Sequence, residues 1–164
     1  MSDVHVKGLA ELQKFLDQLP AKMEKNVVRG SLRAGMKEIL PVAKQNCSKV
    51  SGLLADGLKL STSSRGGKVT ASIKAKGKHG FIAPWVEYGT KAHNIAAKKN
   101  GFLSFGGIFA KSVDHPGAKP HPFLRPALDQ QAQSAVIAAA EYMKNRLATK
   151  EGLDTSDIEI GVDE

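Results

Sequence analysis

The hydrophobic residues recur every three to four positions up to about residue 47, alternate with polar ones from Leu58 to Ala75, and return to the longer spacing after Pro126. Helices present side chains with a period of about 3.6 residues and strands with a period of about 2. The chain therefore asks for helices at both ends and strands between them.

Leu9, Leu12, Leu16 and Leu19 form one stripe and predict a helix over 8–19. Pro20 closes it, because the residue before a proline avoids the α region. Met23, Val27, Met36, Ile39, Leu40 and Ala43 predict a longer helix over 21–47, with Lys22, Lys25, Arg29, Arg33 and Lys37 on other faces. Pro41 should kink this helix or end it early. Gly30 and Gly35 should weaken it by about 1 kcal/mol each relative to alanine. Residues 48–52 read as a turn.

Leu58, Leu60 and Thr62, then Val69, Ala71, Ile73 and Ala75, alternate with polar residues on either side of Gly66-Gly67. That pattern predicts a β-hairpin with one solvated, basic face. Residues 81–88 are apolar around Pro84 and fit a short helix or an edge strand. Residues 89–107 are polar, basic and glycine-bearing, and read as a long loop. Residues 108–113 read as a strand. Residues 115–126 hold Pro116, Pro120, Pro122 and Pro126 and should be extended. Pro126 suits the first turn of a last helix, which Leu128, Ala132, Ala135, Val136, Ala139 and Met143 carry to about residue 148.

This order predicts an α+β fold: an antiparallel sheet of about three to five strands with helices packed on one face and a long flexible loop. Residues 1–150 form the single domain, and 151–164 an acidic, flexible tail. Hydrophobic residues make up 41% of the 164 and aromatics only 5%, so the core rests on aliphatic side chains. No apolar run is long enough to cross a membrane, and the start of the chain lacks the apolar stretch of a signal peptide.

Charge is unevenly placed. The last 14 residues carry six acids (Glu151, Asp154, Asp157, Glu159, Asp163, Glu164) and no lysine or arginine. Residues 1–150 hold the 24 basic and the other 10 acidic side chains, a net +14. Such a body attracts polyanions or acidic protein surfaces. The acidic end could screen it, cap a basic neighbour or be a solvated tail.

Catalytic constellations are missing from the pattern. Cys47 is the one cysteine, which excludes an internal disulfide and a thiolate zinc site and fits a packing role. His93, His115 and His121 share a region without an acidic helix motif beside them. The sequence has no nucleophile elbow, no phosphate-binding loop and no dinucleotide fingerprint. Glu87 stands alone in an apolar run. The expectation is a protein that is not an enzyme and that needs no cofactor or metal. Lysines at 74, 76, 78, 91, 98, 99, 111 and 119 suit non-specific phosphate attraction, but few aromatics are interleaved for base stacking.

Three segments carry a resemblance. Val50-Ser51-Gly52-Leu53-Leu54 follows a basic helix and precedes a hairpin. Val86-Glu87-Tyr88-Gly89-Thr90 follows an apolar lead-in. His115-Pro116-Gly117 and Pro122-Phe123-Leu124-Arg125-Pro126-Ala127-Leu128 open the last helix. In this order, over about residues 8–148, they resemble the tail-completion or head–tail joining (neck) proteins of long-tailed, siphovirus-type bacteriophages. Ser51 stands where that family often has threonine, and Pro41 and the acidic tail are not family features.

The resemblance implies a virion protein, assembled in the bacterial host cytoplasm. It would form a ring of its own copies, six-fold to match the tail. Its further partners would be the tail tube or tail terminator protein and the head connector or adaptor proteins. A tail-terminator role in the same neck region is one alternative; a basic nucleic-acid-binding module is another. Candidate interface residues are Glu87, Tyr88, Lys91, Phe102, Phe105, His115, Phe123 and Arg125. Lys74, Lys76, Lys98 and Lys99 are candidates to line a channel for genomic DNA. Glu87 is expected to accept backbone amide bonds or to pair with Arg125. Phe102, Leu103 and Phe105 are too apolar for a permanently solvated loop, so that loop should order against a neighbouring subunit or the tail tube.

Overall fold

A computed structural model of the chain describes residues 9–47, 52–98, 101–152, 154–156 and 158–160. The turn at 48–51, with the Val50-Ser51 start of the first motif, and Lys99 lie outside them. In chain order come α1 (Leu9–Asp17), α2 (Ala21–Asn46), α3 (Leu53–Gly57), β1 (Leu58–Arg65) and β2 (Lys68–Ala75). A 3-10 turn (Gly80–Ile82) leads into α4 (Ala83–Tyr88). Then follow β3 (His93–Ala96), β4 (Leu103–Phe105), β5 (Ile108–Ala110), β6 (Ser112–His115) and α5 (Leu124–Glu151).

The fold is α+β, with antiparallel strand pairs and packed helices. The strands are not one sheet of three to five. They form three separate two-stranded pairs, β1–β2, β3–β6 and β4–β5. The reason lies in the side chains: only β1–β2 has a largely apolar face to lay on a helix. That hairpin turns at Gly66-Gly67, and its register sets Leu58 opposite Ala75 and Leu60 opposite Ile73.

The long antiparallel pair α2–α5 is the frame. Gly30 of α2 lies against Tyr142 of α5, and Gly35 against Ala135 and Ala139. Two apolar clusters sit at its ends. One gathers Ile39, Ala43, Cys47, Leu54, Leu58, Phe123 and Ala127. The other gathers Leu12, Leu16, Val27, Leu147 and Ile158. Pro41 neither ends nor shortens α2, which runs on to Asn46. Burial of Ile39 and Ala43 on either side of it outweighs the one amide donor a proline lacks.

Three further expectations are revised. Residues 89–107 are not a featureless loop: β3 pairs with β6, and β4 with β5, across that stretch. The strand expected at 108–113 is two, β5 and β6, parted at Lys111. The acidic end does not start as a free tail. Ile158 is buried in the second cluster, and the Lys144 ammonium donates to its carbonyl at 2.7 Å. Its isoleucines anchor it despite the surrounding acids.

Gly35 is the tightest point of the helix seam. A Cβ there would meet the Ala135 carbonyl oxygen at 2.5 Å, backbone that cannot swing aside. Gly35→Ala is therefore expected to destabilise by about 1–3 kcal/mol in urea denaturation, against its favourable helix propensity. Gly30→Ala should cost less, because its new methyl meets only the half-exposed ring of Tyr142, which can rotate away.

Candidate functional site

An α-helix leaves its first amides without intrahelical acceptors. At the start of α5 these belong to Phe123, Leu124 and Arg125; the next residue, Pro126, has none to offer. No side chain of the N-cap residue itself serves them. The acceptor comes from α4. Phe123 and Leu124 N–H donate to Glu87 Oε2 at 2.7 and 2.9 Å, and Arg125 N–H donates to Oε1 at 3.2 Å. Arg125 Nε donates to the same Oε1 at 3.1 Å, and its Nη2 to the Glu87 carbonyl at 3.3 Å. Both bonding modes expected of Glu87 occur together.

Glu87 is 2% exposed. Burial alone would raise its pKa. The amides of Leu124, Phe123 and Arg125 and the Arg125 guanidinium outweigh that and hold it below the ordinary 4.5. Its negative charge also faces the positive end of the helix dipole. The Arg125 guanidinium lies 4.9 Å from the centre of the Tyr88 ring, a stacking distance for a cation on an aromatic face.

The same two segments meet at four further points. His121 N–H donates to the Val86 carbonyl at 2.7 Å. Thr90 and Ala118 exchange backbone bonds of 2.9 and 3.1 Å, and Ala118 N–H also donates to Thr90 Oγ1. Gly89, at φ 72°, lies where a Cβ would strike the Ala118 carbonyl and Pro120. Gly117, at φ 87°, lies equally close to the Thr90 carbonyl. Positive φ and contact with backbone both require glycine there. The Val-Glu-Tyr-Gly-Thr and His-Pro-Gly/Pro-Phe-Leu-Arg-Pro motifs are thus one physical junction.

From this junction an antiparallel arm leaves the body. Its base is the Thr90–Ala118 bridge; β3–β6 continues it, with His93 opposite His115, and the β4–β5 hairpin is its tip. The His93 and His115 rings lie 5.1 Å apart. Gly117 N–H donates to His115 Nδ1 at 3.0 Å. Every residue of β3 is exposed. At the tip Phe102, Phe105, Ile108 and Phe109 are 62%, 43%, 60% and 71% exposed. Phe81 and Trp85, ring edge to ring face beside the junction, are exposed too. Between α2, α5 and β2 runs an apolar groove of about 490 Å3, lined among others by Leu32, Met36, Leu128, Val136 and Met143.

The sequence-derived candidates divide accordingly. Phe123 is fully buried and Glu87 nearly so. They build the junction and offer no surface to another molecule, because the helix start needs both. Tyr88, Lys91, Phe102, Phe105 and Arg125 are exposed, and His115 is half-buried. Lys74 is in β2, Lys76 directly follows that strand, and Lys98 is on the arm, all exposed. Ile108, Phe109, Phe81 and Trp85 were not singled out. The Phe105-Gly106-Gly107-Ile108 turn, the same signal that reveals β1–β2, would have found the first two. Among the described residues no three His, Cys, Asp or Glu are gathered as a metal site would need, and no helix is long and apolar enough to cross a membrane. No family model, curated protein or solved structure matches the chain.

Removing Glu87 leaves three helix-start amides without an acceptor. Glu87→Ala is expected to cost about 3–5 kcal/mol in urea denaturation. Arg125→Ala should cost about 1 kcal/mol or less, since its side chain is 57% exposed and water screens the pair. Fully additive losses in the double variant would show that the two side chains are uncoupled. The pKa of Glu87 is lower folded than unfolded, so its stabilisation is complete above the unfolded value and lost as pH falls through the folded one. The advantage of wild type over Glu87→Gln should be flat from about pH 7 to about pH 5 and shrink below the ordinary 4.5.

Proposed function

We propose that this chain is a structural virion subunit that completes the tail of a long-tailed bacteriophage and joins it to the head connector as one member of a six-fold ring. The reading starts from the order and spacing of the family-like motifs. Support comes from the last two of them meeting in one hydrogen-bonded junction, since residues that act together have reason to recur together.

The observation that carries the reading is the arm. A two-stranded ribbon is marginal in water on its own, and this one exposes three phenylalanines and an isoleucine at its tip. Exposed apolar groups clustered in this way mark a binding surface. A contact between an arm on one side of a subunit and a different surface of the next is head-to-tail, and such contacts close into rings. In this role the protein binds other protein copies and turns over no substrate.

The test is assembly. Particles produced without this chain are expected to accumulate filled heads and finished tails that do not join. Phe105→Ser/Phe109→Ser should reproduce that defect while the purified variant keeps its helical circular dichroism and thermal midpoint. Normal virions from either experiment would refute the proposal.

A further inference from the structure

The β1–β2 hairpin has a second face that the core does not use. Leu58, Leu60, Thr62 and Ser64, with their partners Ala75, Ile73, Ala71 and Val69, form the inner face. The outer face is Lys59 opposite Lys74, Ser61 opposite Ser72, Ser63 opposite Thr70, and Arg65 opposite Lys68. All four cations are exposed, and no acid is among these eight residues. None of the four cations makes an ion pair or hydrogen bond to another described residue. Glu24 of α2 lines the cleft under the turn with Lys25 and Arg65.

Like charges directly opposite each other across a strand pair destabilise it. This hairpin carries two such couples, one at each end, with a ladder of four hydroxyls between them. Charge on exposed strands can discourage edge-to-edge association, but that purpose is served by either sign and does not call for repelling partners. A face of one sign, built against its own stability, is suited to an anion that bridges the couples.

We propose that the outer face of β1–β2 binds the phosphodiester backbone of duplex DNA without reading its sequence. The couples lie six residues apart, roughly 20 Å at about 3.4 Å per residue. A small anion would satisfy only one end. A two-stranded ribbon enters a major groove about 12 Å wide, and couples at this spacing reach the phosphates on both of its rims. Hydroxyls between them donate to phosphate or sugar oxygens, contacts that position a protein without specifying bases. The face has no aromatic platform for unstacked bases and no apolar centre of the kind a protein interface carries. Duplex DNA is thus favoured over a single strand and over an acidic protein. The inference does not depend on ring assembly, since a solitary chain would bind as well.

Fluorescence anisotropy of a labelled mixed-sequence duplex, titrated with the full-length protein between about 50 and about 200 mM salt, tests it. Each phosphate neutralised contributes about −0.9 to the slope of log affinity against log salt. Lys59→Ser/Lys74→Ser and Arg65→Ser/Lys68→Ser should therefore each make the slope shallower by about 2, whereas Lys14→Gln/Lys37→Gln, at exposed positions of α1 and α2, should leave it nearly unchanged. Lys74→Glu should weaken binding and raise the thermal midpoint, because it turns one repelling couple into an attracting one. Equal losses from the helix variant, undiminished binding by both face variants, or a polyglutamate competitor that displaces DNA at equal charge would each overturn the proposal. Assembly defects in the Phe105→Ser/Phe109→Ser variant would be untouched by any of these results.

Discussion

One carboxylate holds the second half of this molecule in place. Glu87 supplies, from a short helix far away in sequence, the acceptors that the start of α5 cannot supply for itself. Three amides, one guanidinium and the dipole of a long helix converge on it. Local capping by serine or aspartate would fix only the helix end. A cap delivered from another element also fixes where that end sits, so α4, the base of the arm and α5 share a single position.

That arrangement allows α5 to be so rich in alanine. Small side chains bury little area each, and hydrophobic stabilisation scales with area. What alanine and glycine offer is close approach, as at Gly35 against Ala135. The larger apolar side chains are kept for the two ends of the seam, where Phe123 and Leu147 are buried without remainder. Between the clusters the helices leave a groove open.

The helices and the first hairpin were legible because each announces itself locally. The leucines of α1, the stripe of α2 and the alternation of β1–β2 all lie within one short window of sequence. Glu87 and Arg125 could be named as partners, but only in space do the amides of Phe123 and Leu124 join them. The arm was misread for a related reason. His93 pairs with His115 and Ile95 with Val113, and neither strand has an apolar face whose alternation could declare it. Pro41 misled in the opposite direction: of the kink or early end that a local rule predicted, packing on both sides overrides the early end. Ile158 was hidden by composition, since a few apolar residues among six acids leave the average polar, yet Ile158 still reaches a buried place beside Leu147.

The arm joins the body through adjacent glycines, Gly89 and Gly117, immediately beside the carboxylate that caps α5. It is a lever whose fulcrum lies against that cap. Load applied at the aromatic tip falls first on Tyr88, the residue after Glu87, and on Arg125, which bonds the buried carboxyl directly. Capture of the tip would therefore bear directly on the start of α5, the helix whose other end packs Leu147 against Ile158.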